Sequence, residues 1–214
     1  MARFHPTDEH LMAYAGGALD EARGLLVATH LALCPDCRGA VGRFEAVGGD
    51  LIDQAPMAPL GRDALARMMA RLDEPAPPAP ARRPIPGDPL LPEPLRGRLG
   101  VRLADLRWRR RIGMLAEVEL PIAGAGTAKL LRIGAGGAMP RHTHTDEELT
   151  LVLSGGFTDD AGHYLRGDVA LGDPGITHRP VADPGEDCIC LAVVVGEVRL
   201  PGFLGRVLAP FVRF

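Results

Sequence analysis

The stretch His30-Leu-Ala-Leu-Cys34-Pro-Asp-Cys37 decides how the first third of this chain folds. His30 and Cys34 are four residues apart, so on a helix they share a face. Pro35 suits the first turn of a new helix, where a missing N–H costs little. Cys37 then falls near that helix's N-terminus, where the macrodipole favours a thiolate. One imidazole and two thiols close in space supply three of the four ligands of a tetrahedral zinc site. A redox dithiol is the rival. It expects a preceding strand, and here a helical pattern precedes the cysteines.

Working outward, residues 1–74 read as helical throughout. Thr7-Asp-Glu-His opens a short helix with a capping hydroxyl and an acidic first turn. Asp20-Glu21 starts a second, with Ala22, Leu25, Leu26, Thr29 and Leu33 at helical spacing. A third begins at Pro35 and carries Cys37, Val41, Phe44, Val47 and Leu51 on one stripe, with Gly48-Gly49 as a weak point. A fourth runs from about Arg62 to Leu72, with Leu65, Met68, Met69 and Leu72 on one face. That face suits either an intramolecular core or a partner's groove. So small a bundle is marginal without a staple, and a structural metal contributes folding free energy directly.

Residues 75–94 hold nine of the chain's 20 prolines. This composition disfavours helix and central strand and reads as a semi-rigid spacer between two domains, 1–74 and 95–214. Beyond it the pattern changes. Short Val-, Ile- and Leu-rich runs at 111–120, 128–133, 148–153, 168–171 and 188–195 alternate with Gly- and Pro-containing turns, which suggests a sandwich or barrel.

A second metal signature lies in this half. His142-Thr-His144 sits on an extended segment, where residues two apart point the same way. Glu148 follows, and His178 comes thirty-four residues after His144. Three imidazoles and a carboxylate suit Zn, Fe, Mn, Ni or Cu. The spacing Gly136, five residues, His142-x-His144, three residues, Glu148, six residues, Gly155 matches the first cupin motif. Gly167, Gly175 and His178 resemble the second, with Asp173 in the habitual Pro slot and Ala182 in the habitual Asn slot. The resemblance implies a double-stranded β-barrel holding a metal.

A helical His-x-x-x-Cys-x-x-Cys module, a Pro-rich spacer and a cupin together resemble the ChrR family of anti-sigma factors, over essentially the whole chain. The Glu148-Leu-Thr-Leu-Val-Leu strand and the Asp187-Cys-Ile-Cys-Leu segment add to the likeness. The resemblance implies that the helical domain binds zinc and clamps an extracytoplasmic-function sigma factor in a 1:1 complex. It implies a cupin with a second divalent metal (zinc first; Fe, Mn or Ni otherwise) that is needed for release on oxidative signals such as singlet oxygen or organic peroxides. It also implies an N-terminal His as fourth zinc ligand. His5 matches that position, and His10 is its competitor.

The competing function is a cupin dioxygenase or isomerase, since four protein ligands leave metal positions open for chemistry. A DNA-binding repressor ranks last. Residues 1–74 carry seven Arg and no Lys against eleven acidic residues, a net of −4 that opposes phosphate contact. No apolar leader and no run of 18 apolar residues is visible, which predicts a cytoplasmic protein without a membrane anchor. Cys188 and Cys190 face one side of a strand, and core packing is the simpler account of them. Arg107–Arg111 reads as a solvated strand edge, and His163 as a turn residue.

Overall fold

The computed structural model describes residues 2–75, 87–111, 113–122, 124 and 126–200. Helix α1 (Asp8–Ala15) starts where the Thr7 hydroxyl accepts the His10 N–H, and α2 (Glu21–Leu33) where the Asp20 carboxylate accepts those of Ala22 and Arg23. Each cap satisfies donors that the first helical turn leaves without a partner. Helix α3 (Pro35–Asp53) begins on the proline and continues through Gly48-Gly49 without a break. Its expected apolar stripe is buried only in part. Cys37, Ala40 and Val41 enter a core with Leu11, Val27 and Leu31, while Val47 and Leu51 stand exposed. Helix α4 (Ala64–Leu72) has no residue buried by the described chain.

Residues 76–86 of the proline segment lie outside the described residues. Its end is packed rather than extended: Leu91 is buried, and α5 (Glu93–Leu99) opens inside it. Pro92 caps α5 and Pro94 sits in its first turn, where prolines remove no helical hydrogen bond.

The remaining described residues form eleven strands. They are β1 (Arg109–Arg110), β2 (Leu115–Glu119), β3 (Gly126–Ile133), β4 (Thr143–His144), β5 (Glu148–Ser154), β6 (Gly156–Thr158), β7 (His163–Leu165), β8 (Val169–Gly172), β9 (Val181–Ala182), β10 (Cys188–Val195) and β11 (Val198–Arg199). The main sheet runs β1-β2-β3-β10-β5-β8, all antiparallel. Two small sheets, β7-β6-β9 and β11-β4, face it. All five strand runs expected from the sequence appear, with ends shifted by a few residues. His163 is a strand residue instead of a turn residue, held by Asp183 Oδ2 at 2.7 Å.

Side-chain alternation divides the barrel strands between two cores. Leu149, Leu151 and Leu153 of β5 and Leu191 and Val193 of β10 point outward, where Ala22 and Leu26 of α2 and Leu95 of α5 cover them. Val152, Cys188 and Cys190 point inward beside Phe157 and Tyr164. Helix α2 therefore has two working faces. One carries His30 to the helical core; the other closes the outer face of the barrel.

Candidate metal centres

His5, His30, Cys34 and Cys37 converge, with one donor atom from each lying within 4.8 Å of the others. His5 arrives on the arm before α1, His30 from the last turn of α2, Cys34 from the α2–α3 junction and Cys37 from the first turn of α3. His30 Nε2 lies 3.2 Å from Cys37 Sγ; His5 Nδ1 lies 3.5 Å from Cys34 Sγ and 3.3 Å from Cys37 Sγ. A nitrogen and a sulfur bound to one tetrahedral zinc sit about 3.5 Å apart, so the spacing fits that ion. His10 does not join the group. Its ring bonds Thr7 Oγ1 at 2.8 Å and Glu147 Oε1 at 2.9 Å.

The ligand chemistry is set by burial. His30 is fully enclosed, which lowers its pKa to about 4 and keeps the ring neutral. Its Nδ1 donates to the Gly167 carbonyl at 2.9 Å, so the Nε2 lone pair faces the thiols. Burial, reinforced by the hydrogen bond and charge of Cys34, pushes the Cys37 thiol up to about 12. In the metal-free pocket this opposes the thiolate that its place at a helix N-terminus favours. Without an ion, desolvation outweighs the dipole, and a cation is what makes the sulfur anionic.

In the barrel, His142, His144, Glu148 and His178 form a second group within the same limit. His144 lies on β4, Glu148 opens β5, and His142 and His178 pair through a backbone bridge. His178 Nε2 is 3.0 Å from His142 Nε2 and 3.3 Å from His144 Nε2, and Glu148 Oε2 is 3.2 Å from His144 Nε2. His142 Nδ1 donates to Pro140 O at 2.8 Å, and His178 Nδ1 faces Asp159 Oδ2 at 3.1 Å. Both rings therefore turn bare Nε2 lone pairs toward each other, an arrangement that is repulsive unless a cation lies between them. Burial raises the Glu148 carboxyl, but the His144 hydrogen bond and the nearby imidazoles outweigh it and hold the pKa below the usual value. Burial lowers that of His142. Three imidazoles with an ionised carboxylate fit a divalent metal.

Beside this group lies a small cavity of about 30 Å³, walled by Leu131, Met139, Val194 and Val198. Glu117 points into it, almost fully buried, with Lys129 Nζ 3.6 Å away and Arg111 at its outer oxygen. Sequence reasoning missed this ion pair. The one available signal was parity, because on β2 Glu117 shares a face with Leu115.

The family profile described as "ChrR Cupin-like domain" matches residues 97–198, and a "Putative zinc-finger" profile matches residues 6–38. The anti-sigma-E factor ChrR of Cereibacter sphaeroides is 44% identical over 99% of this chain and 98% of its own length. The chain belongs to the ChrR family. A solved structure of Rhodobacter sphaeroides SigE in complex with the anti-sigma ChrR is 42% identical, with a TM-score of 0.80 over 91% of this chain and 99% of that one. The polyketide cyclase RemF of Streptomyces resistomycificus is 19% identical with a TM-score of 0.42, a likeness too distant to bear on activity. ChrR-family membership agrees with the zinc-stapled helices followed by a cupin barrel, and the zinc-finger match agrees with zinc in the N-terminal half. That profile starts at residue 6, so His5 rests on the geometry of the arm.

Proposed function

We propose that the chain is an anti-sigma factor that sequesters an extracytoplasmic-function sigma factor, one to one, through the zinc-bound helices of residues 1–74. The observation that carries this is the 44% identity to an anti-sigma factor over 99% of the chain. His5, His30, Cys34 and Cys37 hold zinc; His142, His144, Glu148 and His178 hold a second divalent metal, zinc before iron, manganese or nickel. The partner surface includes the exposed face of α4, where Leu65, Met68, Met69 and Leu72 are all more than half exposed. Two flexible methionines let such a face adapt to a groove.

The barrel couples this clamp to an oxidative signal. In this reading the protein works in the cytoplasm and does not touch DNA, the latter supported by the net acidic helical half; no helix among the described residues is long and apolar enough to cross a membrane. Co-expression of the full chain with a cognate sigma factor, followed by co-purification and transcription assays, tests the proposal. A sigma factor that stays free and active in its presence would sink it. The His₃–carboxylate ligand set of the barrel keeps a cupin dioxygenase as the second candidate. Turnover of diketones by the iron-loaded protein, with no effect on sigma activity, would establish that instead.

A further inference from the structure

The zinc group is not enclosed by helices alone. Ala2–His5 runs along the barrel as a strap. The Arg3 and Phe4 N–H groups donate to Asp168 Oδ1 at 2.5 and 3.1 Å, and the Val169 N–H donates to Phe4 O at 3.0 Å. The Phe4 ring lies 4.5 Å from that of Tyr164, which stacks on Phe157. Next along the chain is His5. On the other side of the group, His30 Nδ1 is held by the carbonyl of Gly167. Two of the four zinc ligands are thus positioned by one barrel turn, Gly167–Val169.

A different turn, Asp159–Gly162, connects the strap with the second centre. Asp159, which receives His178 Nδ1, also accepts the N–H groups of Ala161 and Gly162 through its other oxygen. Gly162 lies directly under Phe4, so closely that a methyl group there would come within 2.8 Å of the ring. A second joint lies at Glu147, the neighbour of ligand Glu148, which binds His10 of α1 and Arg23 of α2 at 2.9 Å each.

We infer that Asp168 and Phe4 are positioning residues for the zinc centre, and that through Phe4 an occupied cupin site tightens the hold on zinc. This rests on the metal assignments proposed above. With the cupin metal in place, His178 fixes Asp159, Asp159 fixes the turn beneath Phe4, and the strap presents His5 at the thiols. With it absent, the turn relaxes and His5 is presented less often. Because linkage is reciprocal, zinc at the helical site raises cupin metal affinity by the same factor.

The test uses the full chain loaded with Co²⁺, because thiolate-to-cobalt charge transfer reports the Cys34/Cys37 centre and not the barrel. Decay of that band after adding EDTA gives the release rate. Asp168→Ala and Phe4→Ala are each expected to speed release about 10- to 100-fold, the usual effect of removing support for a metal ligand. Asp168→Asn, which keeps one acceptor oxygen, should fall between. His142→Ala, which empties the barrel site without touching the strap, should speed release about 5-fold or more. Phe4→Ala acts from the strap alone and keeps the test valid if Asp168→Ala fails to fold. A band that never forms overturns the zinc assignment and this inference together. A normal band with wild-type release in Phe4→Ala and Asp168→Asn overturns the positioning role while zinc stands. Wild-type release in His142→Ala overturns the coupling.

Discussion

At His30 a single imidazole joins the two halves, with Nδ1 on a barrel carbonyl and Nε2 on a thiol. Its pKa falls from 6.5 to about 4 on folding, so its contribution to stability is whole above pH 6.5 and disappears as pH drops through 4. Melting temperatures of the metal-free protein should decline over that interval, and His30→Gln should flatten the decline. The Cys37 pKa shifts in the opposite direction. Its thiol, pushed up to about 12, must lose a proton to bind zinc, so apparent affinity should climb about tenfold per pH unit from this sulfur alone. Calorimetry in buffers of different ionisation heat would count the released protons. Lys129→Met leaves buried Glu117 short of a partner and should cost roughly 1–3 kcal/mol in urea unfolding. Glu117→Leu with Lys129→Met together should lie within about 1 kcal/mol of the parent. His30, Cys34 and Cys37 were legible because helix geometry alone brings them together. Asp168, Phe4 and Glu117 were not, because their partners are distant in sequence and no local pattern announces them.

Among the elements, α2 was the most legible, with its Asp20 cap, periodic leucines and proline stop all visible in sequence. What it covers was not legible, since a helix shows that it has an apolar face without showing the other surface. Leu26→Ala removes a fully buried side chain between helix and sheet and should cost about 3 kcal/mol, read as a lowered urea midpoint at unchanged slope. Helix α4 makes the contrasting case. Met68→Ser with Met69→Ser should leave unfolding free energy within about 0.5 kcal/mol, because nothing described packs on them. The same change should weaken sigma-factor capture at least tenfold if that face is the clamp. Strands β6, β7, β9 and β11 escaped detection because two or three residues are too few to display alternation.

Over the whole molecule, composition suggested two units joined by a proline spacer, while packing places Ala22 and Leu26 in one core with Leu130, Leu149 and Leu191. Chain composition reports where backbone is stiff, not which surfaces meet. The chain's single tryptophan, Trp108, packs against that shared core and so observes it directly. Its fluorescence and the far-ultraviolet helix signal should lose structure at the same urea concentration; two separated midpoints would show that the halves melt independently. The leucine surface beneath α2 also constrains anyone recombining parts between relatives. A graft cut within the prolines, giving this helical head a foreign barrel, would strip Leu26 of its seat and break the strap's grip at Asp168. A productive chimera must exchange α2, the first five residues and the matching barrel wall as one inherited block.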